Sequence, residues 1–302
     1  MADITLLDGG NGQEIVRRSG RSPHPLWSLK VMFDTPEVIA QVHGDFIAAG
    51  ARVLTLNTYT ATPVRLARDG FADRFAEAHE LAARLAQQAV AASGTPPGRV
   101  QVAGCLPPLV ASYVAEVALD HAASLADYRK LVAAQAPNVD LFLIETMSNI
   151  AEARAALEAA QEAGKPVCLG LTLTDDGAAT LRSGERLEAA LEVLVPMAPD
   201  GIVLNCSIPE AITAAMPTLA GTGLRFGGYA NGFTSIAALK PGGTVDGLKA
   251  RKDLSPEAYG DFAARWVDTG ATIIGGCCEV GPAHIAHLAE RLATAGHRLT
   301  GF

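Results

Sequence analysis

Five cysteines stand at positions 105, 168, 206, 277 and 278 of this 302-residue chain, and three of them sit where chemistry is plausible. Cys206 follows Asn205 at the end of one short apolar run, and Cys277-Cys278 follow Gly275-Gly276 at the end of another. Three protein thiolates can hold zinc and leave a fourth, tetrahedral position for water or substrate. There is no Cys-x-x-Cys pair, so the spacing alone leaves a zinc site and ordinary thiols both open. A bond between the adjacent Cys277 and Cys278 would be strained, and Cys105 and Cys168 read as small core fillers. Two acids occupy comparable places: Asp8 ends the first apolar run and Glu145 the fourth. The plain alternative for each is a strand-end acid paired with an arginine or a helix N-terminus.

The elements that must position these residues follow a repeated rhythm. Eight short apolar runs, at 5–7, 53–56, 100–104, 141–144, 167–172, 201–204, 224–229 and 272–275, are each followed by a polar or glycine-rich turn and a stretch with helical spacing. Thr35-Pro36-Glu37 and Ser255-Pro256-Glu257 each supply a cap, an N1 proline and an acidic first turn, and Gly50 and Gly270 mark the stops. Segments 72–92 and 150–163 are rich in Ala, Leu and Glu, which favour helix. Eight such units predict a single (β/α)8 TIM barrel, an α/β fold occupying residues 1–302 as one domain. In such a barrel the active site lies at the carboxyl ends of the strands, where Asp8, Asn57, Glu145, Cys206, Cys277 and Cys278 all fall. Two stretches depart from the rhythm. Segment 17–33 reads as an irregular excursion, and segment 237–253 as a long connection of the kind that often carries function.

Composition narrows the function classes. With 49% apolar and 19% charged residues the chain reads as globular, and no run is long enough to cross a bilayer. A net charge of −8 argues against nucleic acid as a partner. The opening residues lack the form of a secretory signal, and the odd, scattered cysteines do not make a disulfide framework; the expectation is a cytoplasmic protein, monomeric or a small homo-oligomer.

Seven short motifs carry a resemblance. Leu-Leu-Asp-Gly-Gly at 6–10, Leu-Trp-Ser at 26–28, Thr-Pro-Glu at 35–37, Ala-Gly-Ala at 49–51, Ile-Glu-Thr at 144–146, Asn205-Cys206 and Ile-Gly-Gly-Cys-Cys at 274–278 occur in this order. In them the chain resembles the homocysteine S-methyltransferase family, zinc-dependent barrels that methylate the sulfur of homocysteine. The glycine-glycine-cysteine-cysteine signature with its upstream asparagine-cysteine is highly specific, and the motifs span nearly the whole chain.

The resemblance implies that Cys206, Cys277 and Cys278 hold Zn²⁺, and that the homocysteine thiolate becomes the fourth ligand. It also implies that Asp8 and Glu145 receive the substrate's ammonium group. Trp27, Ser28, Asn57 and Asn231 are candidates for lining the substrate pocket, with Tyr59 and Tyr113 beside them; Trp27 has the strongest claim, because an aromatic face suits a sulfonium or quaternary ammonium cation. The expected activity is transfer of a methyl group from S-methylmethionine or S-adenosylmethionine to L-homocysteine, giving methionine. Betaine-using relatives tend to be longer, with a carboxyl-terminal extension, whereas this sequence ends soon after its eighth helical stretch; the expectation is therefore a sulfonium donor. Many relatives follow the paired cysteines with a small residue or Arg and then Thr-Thr. Here Glu279-Val280-Gly281-Pro282 stands instead, which alters the charge beside the metal.

Other readings have weaker support. A hydrolase barrel usually needs a His-x-His strand end, and none occurs; His284 and His287 share a helix face that reads as solvated. A Schiff-base aldolase needs a lysine at a strand's carboxyl end, whereas Lys165 precedes its strand. Gly9-Gly10-Asn11-Gly12 is too short for a phosphate loop. The same barrel using betaine or another donor or thiol acceptor, or a zinc- or thiol-binding protein without turnover, remains the alternative.

Overall fold

The computed structural model describes residues 1–116, 119–239 and 241–302. The chain runs β1 (Asp3–Leu6), α1 (Asn11–Ser19), α2 (Trp27–Asp34), α3 (Pro36–Ala48), β2 (Val53–Thr55), α4 (Pro63–Arg68), α5 (Phe75–Ala92) and β3 (Gln101–Leu106). It continues with α6 (His121–Gln135), β4 (Leu141–Met147), α7 (Ile150–Gln161), β5 (Val167–Leu171), α8 (Leu187–Leu194) and β6 (Gly201–Asn205). The last third holds α9 (Pro209–Ala220), β7 (Phe226–Tyr229), α10 (Pro256–Asp268), β8 (Ile273–Ile274), α11 (Pro282–Thr294) and β9 (Arg298–Thr300).

Strands β2 to β8 pair in sequence order, all parallel, and β8 pairs with β1. Leu7 then bridges Val53, with Arg52 N–H donating to Leu6 O at 2.8 Å and Asp8 N–H to Val53 O at 3.0 Å. These bonds close the eight strands into the expected (β/α)8 barrel. The ninth strand was not foreseen. It pairs with β1 from Asp3↔Arg298 to Thr5↔Thr300, and Phe302 packs beneath the barrel interior with the Arg225 guanidinium over its ring.

The alternation along each strand divides the apolar side chains into two cores. Leu7, Val53, Ala103, Leu143, Cys168, Val203 and Ile273 fill the barrel, so Cys168 is the core filler its composition suggested. The opposite faces pack against the ring of helices, where the alanines of α7 let it lie close to the sheet.

Three local expectations change. Segment 17–33 is helical at both ends, because Leu29 and Met32 give α2 a face to bury. Thr35 does not cap α3 with its side chain; it closes α2 instead, its N–H donating to Val31 O at 2.7 Å and its hydroxyl to the same carbonyl at 3.3 Å, because α2 ends only one residue earlier. Ser255 does cap α10, accepting from Ala258 N–H at 3.2 Å. His284 and His287 are half-buried rather than solvated, His284 bonding Leu254 O and His287 lying against Gly260 of α10. The long connection 237–253 is present, and its far end returns to the turn after β7 through a Phe233–Ala250 bridge; Lys240 within it lies outside the described residues.

Candidate active site

The carboxyl ends of the strands open into one cavity, about 1080 Å³ of atom-free space measured to its open mouth. Asp8 and Glu145 reach it from β1 and β4, and Cys206, Cys277 and Cys278 from the ends of β6 and β8. Segment 237–253 contributes Leu239, Thr244 and Leu248 to the rim.

Each acid is held by neutral donors. Asp8 accepts from the Thr55 N–H at 2.8 Å and the Thr55 hydroxyl at 3.0 Å. Glu145 accepts from Tyr229 Oη at 3.1 Å on one oxygen and from Cys105 Sγ at 3.1 Å on the other. Among the described residues neither is paired with an arginine or a helix N-terminus. Burial pushes the Asp8 carboxyl up to about 8, with the Glu145 charge adding to the rise and the Thr55 bonds opposing it. Burial also raises Glu145, against the lowering effect of its Cys105 and Tyr229 bonds. Both acids are therefore poised to gain from an arriving cation. The Tyr229 hydroxyl is pushed well above the ordinary phenol value by burial, so it remains a donor.

The cysteine side is built on strained backbone. Thr146 and Cys206 both adopt left-handed conformations, with φ of 61° and 49°. Asn205 ties the two turns together, its Oδ1 accepting from Thr146 N–H at 2.9 Å and its Nδ2 donating to Thr146 Oγ1 at 3.0 Å. Gly10 lies so close to the Cys277 carbonyl that a Cβ there would collide with backbone, which explains the glycine after Asp8-Gly9.

Cys206 and Cys277 are joined Sγ to Sγ, with Cα atoms 5.9 Å apart, while Cys278 is free and buried. This pairing was not among the sequence expectations; barrel curvature brings together residues 71 apart in sequence. Among the described residues no three His, Cys, Asp or Glu side chains stand in a ligating cluster while these two sulfurs are joined. The donor set itself suits a metal: three sulfurs on one wall, facing an open cavity that leaves room for a further ligand. Burial, followed by the charges of Glu279 and Glu145, pushes the Cys278 thiol up to about 12, so a metal bound there would displace a proton.

Of the remaining candidates, Trp27, Ser28, Asn57, Tyr59 and Tyr113 line the cavity. Trp27 and Tyr59 meet edge to face at 6.3 Å between centroids. Ser28 and Asn57 satisfy each other, Ser28 Oγ donating to Asn57 Oδ1 at 2.5 Å and Asn57 Nδ2 to Ser28 O at 3.2 Å. Asn231 is not among the lining residues; its Oδ1 accepts from Phe233 N–H and shapes the turn after β7. Glu279 lines a separate recess with Glu14 and Arg17 and reaches the site through its charge alone. Sequence reasoning missed Cys105 and Tyr229 as the partners of Glu145. Strand alternation could have shown that both face the barrel interior, at the level of the fourth strand's end.

A family model described as homocysteine S-methyltransferase matches residues 5–292. The chain belongs to the homocysteine S-methyltransferase family. It is 31% identical to the homocysteine S-methyltransferase of Escherichia coli K12, over 96% of this chain and 95% of that one. It is 27% identical to homocysteine S-methyltransferase 1 of Brassica oleracea, over 95% and 93%. The metallated form of the Escherichia coli homocysteine methyltransferase MmuM superposes with a TM-score of 0.79 at 28% identity, covering 96% of each chain. The oxidized form of the same enzyme gives 0.81, again at 28% identity and 96% coverage of each chain. Like the rest of the homocysteine S-methyltransferase family, the chain is thus a methyltransferase, and among its described residues no helix is long and apolar enough to cross a membrane.

Proposed function

We propose that this chain, acting as one cytoplasmic domain, transfers a methyl group from S-methylmethionine or S-adenosylmethionine to L-homocysteine, giving methionine. Cys206, Cys277 and Cys278 would hold Zn²⁺ once the Cys206–Cys277 bond is reduced. The observation that carries this reading is that one cavity presents three cysteine sulfurs and two acids that lack a cationic partner among the described residues.

Bound zinc would supply the acidity that strips the acceptor thiol, whose ordinary pKa near 8.5 leaves it only a few per cent ionised at neutral pH. The protein's own residues do the positioning. Asp8 and Glu145 take the acceptor's ammonium group, and the ionisation that burial opposes becomes favourable when that cation arrives. Tyr229 and Cys105 fix the direction of the Glu145 carboxylate. Trp27 and Tyr59 offer aromatic surface to a sulfonium and keep water from it. The new bond joins the acceptor sulfur to the methyl carbon as the donor's carbon–sulfur bond breaks. The donor departs as a neutral thioether, and the thiol proton goes to solvent.

The test is methionine formation by reduced, zinc-quantified protein offered homocysteine with S-methylmethionine, S-adenosylmethionine or betaine in parallel. Methionine from a sulfonium donor supports the reading. No methionine from any donor at one zinc per chain overturns it and favours a zinc- or thiol-binding role, to which the Cys206–Cys277 pairing would then belong.

A further inference from the structure

One cation in the cavity wall has no place in the chemistry described so far. Arg65, on α4, is 6% exposed and lines the same cavity as the two acids and the three cysteines. Its Nη2 donates to Pro108 O at 2.8 Å, and its guanidinium stands over the Tyr59 ring at 5.3 Å from the centroid. Its Nε is buried with no hydrogen-bond partner among the described residues. The nearby acid is Glu152, and it is already engaged: Oε1 accepts from Leu109 N–H at 2.8 Å and from Tyr128 Oη at 3.2 Å. Among the described residues no carboxylate reaches the Arg65 guanidinium within ion-pair distance, so a permanent charge is buried against a carbonyl, a ring and open cavity. An arginine left in this state carries a desolvation cost that the carbonyl and the ring meet only in part and that a bound anion would offset.

The anchoring of α4 shows that the placement is built in. Thr62 caps the helix by accepting from Arg65 N–H at 3.2 Å, and the Thr62 hydroxyl donates to Leu109 O at 2.6 Å. The same loop therefore fixes the start of the helix and the Nη2 of its arginine.

We propose that Arg65 is the carboxylate subsite of this cavity, receiving the α-carboxylate of an amino-acid substrate. This rests on the methyl-transfer reading above, in which both donor and acceptor are amino acids. Asp8 and Glu145 supply the negative pole and Arg65 the positive one, so a zwitterion finds both its charges matched in a single cavity. A guanidinium can bind a carboxylate through two parallel hydrogen bonds, which lysine cannot reproduce.

The experiment compares acid and amide forms of each substrate by calorimetry on zinc-loaded protein: S-methylmethionine against its carboxamide, and homocysteine against homocysteinamide. The wild type is expected to bind one acid about tenfold or more tightly than its amide. Arg65→Met should erase that preference and Arg65→Lys retain part of it, while the amide affinities and the other substrate's acid-to-amide ratio stay unchanged. The substrate whose preference disappears identifies the source of the carboxylate. A wild type that does not distinguish acid from amide for either substrate overturns the proposal without any variant, as does an unchanged preference in a folded Arg65→Met protein. Carboxylate preference without methionine formation would reject the methyl-transfer reading and leave the subsite standing. Methionine formation without that preference would do the reverse, and failure to bind any of the four compounds would reject both.

Discussion

The side chain of Asp8 and the backbone and hydroxyl of Thr55 are joined by two hydrogen bonds, of 2.8 Å and 3.0 Å, across the seam where β1 meets β2. The acid thus closes the barrel and faces the substrate cavity at once. Asp8→Asn can keep both bonds, because the amide oxygen accepts from the Thr55 N–H and the amide nitrogen donates to the hydroxyl. It should fold and lose homocysteine affinity by about tenfold or more, the usual scale for losing a hydrogen bond to a charged group. The Asp8 carboxyl is raised to about 8 in the folded chain, so its stabilising effect is full below its ordinary value of 3.8 and is lost as pH rises through about 8. Melting curves from pH 4 to 9 should therefore show the variant gaining on the wild type as pH rises; a parallel pair of curves would contradict this.

Glu145 depends on two neutral donors. Tyr229→Phe and Cys105→Val should each raise KM for homocysteine several-fold to tenfold with zinc content unchanged, and Cys105→Ser should restore most of the loss. Glu145→Ala should keep zinc and lose homocysteine binding. Steady-state kinetics with metal quantification separate these outcomes from general damage to the fold.

Removing any one of the three sulfurs should abolish metal binding and turnover together. Cys277→Ser and Cys278→Ser are expected to purify without stoichiometric zinc after reduction and to be inactive. Normal turnover by zinc-free Cys277→Ser protein would sink the metal-dependent mechanism.

Gly10→Ala places a methyl group against the Cys277 carbonyl and the Cys278 Cα, where only backbone can yield. The variant should retain its far-ultraviolet circular dichroism and lose zinc affinity, because the shift falls on the turn that carries both cysteines. Retention of full zinc content would show that the turn tolerates the displacement.

Acid should weaken the fold through His43. The ring is fully buried on α3, neither of its nitrogens has a partner among the described residues, and burial lowers its pKa from 6.5 to about 4. A base depressed in the folded state contributes stability above its unfolded pKa and loses it as pH falls through the folded value. His43→Leu should therefore flatten the decline in Tm between pH 6.5 and 4, as read by calorimetry.

The eight-fold rhythm and the positions of Asp8, Glu145 and the three cysteines were legible because each lies within three residues of an apolar run, and strand ends in a parallel barrel share one rim. Residues whose roles depend on neighbours from other strands were not. Cys105 looked like core filler because nothing in its own run shows that it reaches the Glu145 carboxylate. Asn231 looked like a site residue because it follows β7, yet it is not among the residues lining the cavity and its Oδ1 accepts from Phe233 N–H in the next turn. Arg65 was not singled out at all, because only the approach of the Pro108 carbonyl and the Tyr59 ring, from other segments, places its charge inside. The ninth strand was hidden by its length, three residues with a weak burial pattern.

Strand β1 finds its partners at β8 and β9, seven and eight strands later in the chain. During synthesis it can rest only against β2, through Leu7 and Val53, until the last strands emerge. Contacts of such large sequence separation are made late and at high entropic cost, so ring closure should be the slow step of folding and the stage most exposed to aggregation. Since Asp8 lies at the end of that same strand and Cys277 and Cys278 at the end of β8, the substrate cavity is completed only when those two strands pair.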